Sequence, residues 1–413
     1  MKSLLIMLLL TACSIPAGTA EQSLAEETTT TTMTPQVNIT MAPEIATTTS
    51  PTTTTTMAPK PELPEAVVGG LVVSMGEPPA SVIERYADFG GNVVVLWEAE
   101  EAQFWPDYPA IVWDPVTRTE SPLELSRNVV AVQVGDEPWP SAMEDFVGYK
   151  PVPDRLGLPV SEYTNFSYWT PLGFTEGDME PYLDEMMTRY QGDRIMVSEY
   201  DLLNKRNVRY VVLDYFRRKA LERGQDYWQY LNGYSGIETE RQMAHSPSDL
   251  AWSAFSGAVM GYTGHVWFGY QFSAVGHEEA VAGGGSIFYE KPGEWTETPN
   301  WQITATINKA LLTMSERVAD MTSTDVRWTG SQFGSDEPLL VGSFVHDEDG
   351  TEWWAILNSN HTYAGSDDAA TVTIPFDAEV WFAEHDVSVL VAAGESVTVN
   401  AGWAILVKGD THG

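Results

Sequence analysis

Residues 129–140 read VVAVQVGDEPWP, and this stretch indicates the fold class of the chain. A nearly unbroken apolar run is typical of a strand that is buried on both faces, as in a parallel sheet. Pro138 cannot continue the hydrogen bonding of a strand, so Asp136 and Glu137 are expected at its carboxyl end. In a parallel barrel, the carboxyl ends of the strands carry the chemistry. Two carboxylates beside the indole of Trp139 favour general acid catalysis on a polar, ring-shaped substrate, although the same residues also fit a turn that only ends the strand.

Strand-like and helix-like segments alternate from Val67 to about residue 322, as expected for successive βα units. The predicted strands are Leu71–Met75, Asn92–Trp97, a short one at Ala110–Trp113, the run from Val129, Glu162–Trp169, Arg194–Tyr200, Asp226–Leu231 and His265–Phe272. The predicted helices are Pro79–Phe89, Asp178–Tyr190, Asn207–Arg223, Pro247–Gly261 with Ser246 as its N-cap, and about Asn300–Ala319. Residues 98–128 are too few for a full unit. The predicted fold class is therefore α/β, a (β/α)8 TIM barrel over residues 64–322 with one unit abbreviated.

The sequence changes character after about residue 323. Short strand-like segments now follow one another closely and are separated by Gly, Asp and Asn. They are Leu339–His346, Glu352–Asn358, Ala370–Ile374, Ala378–Phe382, Ser396–Val399 and Ala404–Lys408. This pattern predicts a small antiparallel β-sandwich domain over residues 323–413.

Residues 1–13 have the features of a targeting segment. Lys2 precedes the apolar stretch Leu4–Leu10, which is too short to span a bilayer. The small residues before Cys13 resemble the lipobox of bacterial lipoproteins, which implies that Cys13 becomes the lipidated N-terminus of a cell-envelope protein whose folded body lies outside the cytoplasm. The alternative is an ordinary secretory signal in which Cys13 has no role. Because Cys13 is the only cysteine, intramolecular disulfides and cysteine-based metal sites are excluded.

Residues 14–63 are predicted to be a disordered tether. Residues 21–63 consist almost entirely of Thr, Pro, Ala, Met and Glu, with the runs Thr28–Thr32 and Thr52–Thr56. Such a composition cannot bury enough apolar surface to offset the conformational entropy of the chain. The segment is expected to hold the folded body away from the membrane.

Charge and composition restrict the partners. The chain has 22 Lys and Arg against 58 Asp and Glu, a formal net charge of −36, which disfavours nucleic acids and anionic lipid surfaces. Contact with a membrane is therefore expected through the lipid anchor alone. The sequence has no Gly-rich phosphate loop, no His-Glu-x-x-His motif and no calcium-loop spacing, so we predict no cofactor and no metal. Fifteen Trp and seventeen Tyr instead favour a carbohydrate, because sugar sites use aromatic faces.

The order of several motifs resembles that of bacterial glycoside-hydrolase-like proteins, distantly akin to the β-galactosidase and cellulase barrels. The segments that carry the resemblance are Asp136-Glu137-Pro138, residues 178–201, the run 226–236 (DYWQYLNGYSG), residues 247–263 and strand 265–272. In the large retaining clan of these enzymes, an Asn-Glu-Pro motif at strand four supplies the acid/base and a Glu at the end of strand seven supplies the nucleophile. The resemblance therefore implies that Glu137 is the acid/base.

The nucleophile position departs from this pattern. Strand 226–232 ends in Asn232, and the nearest acids, Glu238 and Glu240, lie in the loop beyond it. We expect Asp201 to be the second catalytic carboxylate, because it follows the matched Tyr200 just beyond a strand end.

The remaining candidate residues lie at or near strand ends, where they could contact a sugar. The predicted substrate-binding residues are Asp136, Trp97, Glu98, Trp139, Trp169, Tyr200, Trp228, Tyr234, Trp267 and Tyr270. Each aromatic residue, taken singly, is more often part of a core. The leading interpretation is a surface-anchored glycoside hydrolase of retaining type. A non-catalytic carbohydrate-binding lipoprotein is the main alternative, and a structural or adhesion protein of the envelope is a third.

The lipobox resemblance predicts that Cys13 anchors the protein. Replacement of Cys13 by Ser should move the protein into the soluble fraction, because the thiol that would carry the lipid is lost. Cell fractionation followed by immunoblotting measures this, with Ser3→Ala as the control. Retention of Cys13→Ser in the membrane fraction would show that the resemblance is accidental.

Overall fold

Eight parallel strands form a closed ring in the first part of the chain. They are β1 Val67–Val72, β2 Val93–Leu96, β3 Ala110–Trp113, β4 Val129–Asp136, β5 Ser161–Ser167, β6 Arg194–Ser198, β7 Asp226–Asn232 and β8 Gly264–Ser273. Each strand pairs in parallel with the next, and β8 pairs back with β1, where Val67 lies opposite Gly264. The computed structural model describes residues 61–72, 78, 80–113, 126–136, 161–167, 181, 184–185, 187–188, 192–198, 206–232, 246–273, 288–291, 294–297 and 299–409. The prediction of a barrel is confirmed.

Helices pack against the outer face of the ring. Their bounds are α1 Ala80–Phe89, α2 Arg206–Arg223, α3 Pro247–Ala258 and α4 Pro299–Ala319. A short 3-10 helix, Ala99–Phe104, takes the place of a full helix between β2 and β3. The predicted helix Asp178–Tyr190 is described only at positions 181, 184, 185, 187 and 188, all of them helical. The number of complete βα units stays a prediction, because other connections lie outside the described residues.

The start of α3 follows from its first residues. The side chain of Ser246 accepts a hydrogen bond from the backbone of Asp249, and the carboxylate of Asp249 accepts one from the backbone of Ser246. This capping box, together with Pro247 in the first turn, satisfies donors that a helix start otherwise leaves unpaired. The predicted N-cap at Ser246 is confirmed. None of the helices in the described ranges is both long and apolar enough to cross a membrane.

A series of hydrogen bonds between buried side chains joins the barrel strands to the outer helices. Arg209 donates to Oε1 of Gln229 at 3.1 Å, so the amide nitrogen of Gln229 faces Nδ1 of His265 at 2.8 Å. Nδ1 therefore accepts, and Nε2 of His265 is left to donate to the hydroxyl of Ser315 at 3.0 Å. His265 is therefore a core residue whose two ring nitrogens both have hydrogen-bond partners.

Two antiparallel sheets make up the C-terminal domain. One contains β11 Met321–Arg327, β13 Leu339–His346, β14 Glu352–Asn358, β19 Ala404–Gly409, β16 Ala378–Phe382 and β17 Val387–Val391, in that order. The other contains β12 Gly334–Ser335, β15 Ala370–Thr373 and β18 Ser396–Val399. A shared apolar core that includes Ile356, Val372 and Ile405 packs between the sheets, as predicted for a β-sandwich. Sequence analysis missed β11, β12, β17 and the hairpin of β9 Phe288–Lys291 and β10 Glu294–Glu297 that extends the barrel sheet beyond β8.

Strand β17 is an exposed edge. It pairs with β16 alone and stands last in the order of its sheet. Val387, Val389 and Leu390 are 47%, 42% and 88% exposed, and no residue of the strand is charged. Edge strands in natural proteins are usually protected by charges, prolines or bulges. This strand has neither a charge nor a proline.

Barrel and sandwich belong to one compact unit, Ala58–Gly413, and a buried contact between an imidazole and a carboxylate lies at their junction. Nδ1 of His361 lies 2.8 Å from Oδ1 of Asp249, and both side chains are almost completely buried. The indole of Trp252 stacks on the His361 imidazole at 4.3 Å and donates to the hydroxyl of Tyr210. Tyr210 in turn donates to Ser359 of the C-terminal domain. These contacts fix the sandwich against α2 and α3.

The junction predicts a large effect of removing one partner of the pair. His361→Phe keeps an aromatic ring against Trp252 but leaves the buried carboxylate of Asp249 without its imidazole. We expect the free energy of unfolding to fall by about 1–3 kcal/mol, the usual cost of leaving a buried hydrogen-bonding group without its partner. Urea denaturation of the full chain measures it. Asp325→Asn, which breaks the exposed Asp325–Arg327 pair, is the control and should cost about 0–1 kcal/mol. Equal effects of the two substitutions would contradict the assignment.

His265 predicts how stability changes with pH. Burial lowers the pKa of His265 from 6.5 to about 3. The unfolded chain therefore binds one more proton than the folded chain between these values, and stability falls as the pH decreases through this window, by up to about 1.4 kcal/mol per pH unit. In His265→Gln this slope should decrease, as measured by urea denaturation from about pH 7 to about pH 4. His385→Gln, at an exposed position, is the control. An unchanged slope in His265→Gln would show that the pKa of His265 is the same in the folded and unfolded states.

Candidate functional site

Strand pairing determines which side chains face the barrel axis. In β7, Trp228 and Tyr230 pack inside the ring, whereas Gln229 and Leu231 face the helices. The inner apolar cluster consists of Val67, Leu71, Val93, Val95, Ile111, Ala131, Met196, Trp228, Tyr230 and Val266, with Trp97 and Phe268 packed against it. Asn232 ends β7 in register with Phe268 and is partly exposed. The same alternation that places Trp228 and Tyr230 inside therefore brings Asn232 to the inner row at the mouth.

Trp97 and Trp113 form an aromatic pair at the carboxyl ends of two neighbouring strands. Trp97 directly follows β2 and Trp113 ends β3, next to the paired residues Leu96 and Val112. The ring centroids lie 3.5 Å apart at an interplanar angle of 51°, and both side chains are partly exposed. Sequence analysis selected Trp97 but missed Trp113. The signal was present, because both residues end successive apolar runs.

Two glutamates follow Trp97 in the sequence. Glu98 follows Trp97 and precedes the 3-10 helix, and its side chain is partly exposed. The backbone N–H of Glu98 donates to the carboxylate of Glu101 at 3.4 Å, and Glu101 is 4% exposed. The turn of the 3-10 helix thus fixes the backbone of Glu98, the residue that follows Trp97. Glu101 was not among the predicted site residues.

The floor below the mouth is polar as well as aromatic. Tyr230 reaches across the inside of the ring and donates its hydroxyl to Oε1 of Gln133 on β4 at 2.8 Å. Deeper in the barrel, the guanidinium of Arg194 lies 5.4 Å from the ring centroid of Trp228 and forms an ion pair with Asp226. Gly264 lets the Trp228 indole lie flat against the neighbouring strand, since an added Cβ would lie 2.2 Å from the ring. Trp228 is therefore part of the barrel floor, and the structure does not place it at the mouth as predicted.

A β-bulge occurs where β4 reaches the mouth. Gln133 pairs with Tyr163, but the next pairing is Asp136 with Asn165, so three steps along β4 match two along β5. In a regular strand, residue 135 would be the next one after Gln133 on the same face of the sheet. Because of the bulge, position 136 takes that place instead. Bulges of this kind are frequent beside active sites, where they change the direction of the chain. The bulge directly precedes Glu137.

Trp267 and Tyr270 are corrections to the predicted site. Both lie on the outer face of β8, fully buried against the helices. The indole of Trp267 donates to Asn308 of α4 at 2.6 Å, and the ring of Tyr270 packs against Phe89 of α1 at 4.7 Å. Trp267 is a core residue because strand alternation turns its neighbours Val266 and Phe268 inward. Strict alternation would turn Tyr270 inward as well, but the register of β8 against β1 shifts between Trp267 and Gln271, and Tyr270 lies on the outer face. Neither can contact a ligand in the mouth.

The other predicted residues lie outside the described part of the chain, so their predicted roles remain predictions. They are Glu137, Trp139, Trp169, Tyr200, Asp201, Tyr234 and Cys13. The backbone of Asp136 is described, but its side chain is not.

No protein-family model and no curated protein matches this sequence. Among solved structures, the chain is similar to glycoside hydrolases. A GH27 β-L-arabinopyranosidase from Geobacillus stearothermophilus is 10% identical with a TM-score of 0.48, covering 84% of this chain and 97% of its own. A glycoside hydrolase family 5 protein from Bacteroides vulgatus is 8% identical with a TM-score of 0.41, covering 84% and 89%. A GH128 endo-β-1,3-glucanase from Amycolatopsis mediterranei is 15% identical with a TM-score of 0.38, covering 59% and 98%.

Proposed function

We propose that the folded body is a glycoside hydrolase that cleaves an extracellular oligo- or polysaccharide at the mouth of the barrel. The observation that carries this proposal is the partly exposed Trp97–Trp113 pair at the carboxyl ends of β2 and β3, with the partly exposed Glu98 directly after Trp97. Indole faces carry negative quadrupole potential that attracts the C–H groups of a sugar ring. Carboxylates bind its hydroxyls. In a parallel barrel, this end is where an active site forms.

Glu137 is the general acid of the proposed reaction. It follows the β4 bulge at the same end of the ring as the tryptophan pair. A carboxylic acid that protonates the leaving oxygen accelerates cleavage of a natural glycoside, and the same group then activates water in a retaining mechanism. We assign the second carboxylate to Asp201, which follows β6. Asn232 at the end of β7 cannot serve as the nucleophile, because an amide does not form the glycosyl ester.

The proposal includes the finer points of organisation. The barrel is taken to have eight βα units, with the connection between β2 and β3 as the abbreviated one. Cys13 carries a lipid anchor, residues 14–63 are the tether, and the body lies outside the cytoplasm in the cell envelope. The reaction requires no cofactor.

A carbohydrate-binding protein without catalytic activity is the second candidate. The observation that favours it is Asn232, an amide at the strand end where the retaining clan supplies its nucleophile. Such a protein would keep the aromatic pair as a sugar platform and would bind without cleaving.

Glu137→Gln tests the catalytic role. We expect hydrolysis of natural glycosides to fall by about 10²–10⁴, the usual scale of general acid–base assistance, and that of activated aryl glycosides to fall much less in the first step. Glu100→Gln, at an exposed position of the same rim, is the control. Steady-state kinetics of the full chain in detergent give both rates. Wild-type rates on both substrates in Glu137→Gln would contradict the catalytic assignment.

Binding measurements separate the two candidates. Trp97→Ala should weaken oligosaccharide binding, whereas Trp267→Phe should lower stability and leave affinity unchanged. If the wild type binds but does not cleave, and Trp97→Ala binds more weakly, the protein is a binding protein. If Trp97→Ala binds as well as the wild type, the mouth is not the carbohydrate site.

A further inference from the structure

The C-terminal domain has an open cleft between its two sheets. One wall comes from the end of β16 and the turn after it, with Phe382, Glu384 and His385. The opposite wall comes from the end of β18, with Thr398 and Asn400. Trp403, just before β19, lies between them, and its indole is partly exposed, as is the ring of Phe382. None of these residues belongs to the barrel mouth.

The barrel holds Trp403 of the cleft in place. The indole of Trp403 packs against Phe255 of α3, with ring centroids 5.3 Å apart. The turn before it uses Gly402 at φ 75°, where an added Cβ would lie 2.3 Å from the carbonyl oxygen of Ser248. A glycine is required there both by the backbone conformation and by this close approach. Trp403 is thus packed against Phe255 of the barrel on one side, while part of its surface is exposed to solvent.

Polar groups in the cleft are already oriented. The amide of Asn400 donates to Oε2 of Glu384 at 2.7 Å, which joins the two walls. His385 extends to the same carboxylate, with Nε2 3.8 Å from Oε2. The hydrogen bond to Glu384 uses one of the two amide hydrogens of Asn400. Asn400 and Glu384 together therefore present a free donor and several acceptors in fixed positions. The hydroxyl of Thr398 adds a group that can both donate and accept.

The charges of the lining determine the class of ligand. No Lys or Arg lines the cleft, and Glu384 adds a carboxylate to a chain of formal charge −36. Phosphates, sulfates and uronic acids are therefore disfavoured. Partly exposed aromatic faces beside an amide, a hydroxyl and a carboxylate suit a neutral ring that carries hydroxyl groups.

We propose that this cleft is a second carbohydrate site that binds neutral sugar units of the polysaccharide on which the barrel acts. The identity of that polysaccharide rests on the proposed function, whereas the cleft itself does not. Asn400 and Glu384 bind hydroxyl groups, and Trp403 and Phe382 provide the apolar contact. Because the sandwich is fixed to the barrel at the Asp249–His361 junction, a chain held here stays close to the mouth and raises its local concentration there.

The double variant Glu384→Ala/Asn400→Ala tests the proposal. Isothermal titration calorimetry with neutral gluco-, xylo- and manno-oligosaccharides, together with co-sedimentation with the insoluble polymers, gives the affinity of the full chain. The measurements are made in a Trp97→Ala background, so that binding at the mouth does not contribute. We expect the affinity to fall about tenfold or more, because two hydrogen-bonding groups are lost. Glu379→Ala, at an exposed position of β16, is the matched control and should bind as before. Near-ultraviolet circular dichroism shows that each variant is folded.

The outcomes separate this proposal from the proposed function. Three results would contradict the proposed cleft site, whatever the activity of the barrel: an unchanged affinity in the double variant, binding of acidic polysaccharides alone, or no binding of any neutral sugar. If the double variant loses binding while the wild type cleaves no glycoside, the cleft stands and the hydrolase proposal fails. If both hold, the double variant with Trp97 intact should still cleave small aryl glycosides at the wild-type rate but degrade insoluble polymer more slowly.

Discussion

Closure of the barrel is the constraint on which the rest of the structure depends. β1 pairs with both β2 and β8, so the ring leaves no strand of the barrel with an unpaired side. A closed ring must also fill its interior, and the inner apolar cluster with Trp228 and Tyr230 does so. Residues that end the strands therefore lie above a packed floor. The Trp97–Trp113 pair is held at the mouth by this arrangement rather than by a loop.

The parts of the fold that could be predicted are those in which residue types are unambiguous. Apolar runs such as Val93–Leu96 suit only a strand buried on both faces, and the capping box at Ser246 marks a helix start. The inward face of β8 could not be predicted, because its sequence is apolar or aromatic on both sides. Its pairing with β7 places Val266 and Phe268 inside and therefore places Trp267 outside. Periodicity cannot resolve a face when both faces are buried.

The candidate site shows a second limit of sequence analysis. Strict alternation from Gln133 would place residue 135 in its row, but the bulge in β4 places residue 136 there instead. A bulge depends on the register of the neighbouring strand, which the sequence of β4 does not contain. Asn232, in contrast, was correctly located at the end of β7, and its row in the barrel makes the absence of a carboxylate at that position chemically meaningful. This single amide keeps catalysis and binding as competing proposals.

The uncharged edge at β17 makes the solubility of the protein depend on salt. Copies with a formal charge of −36 repel one another at low ionic strength, and this repulsion keeps their exposed edges apart. The Debye length falls to about 10 Å at 0.1 M salt, so the repulsion between whole molecules is then largely screened. The apolar contact that Leu390 and its neighbours can make is not weakened by the same ions. The acidic surface therefore acts as the colloidal protection of an edge that has no charge of its own, and added salt removes that protection.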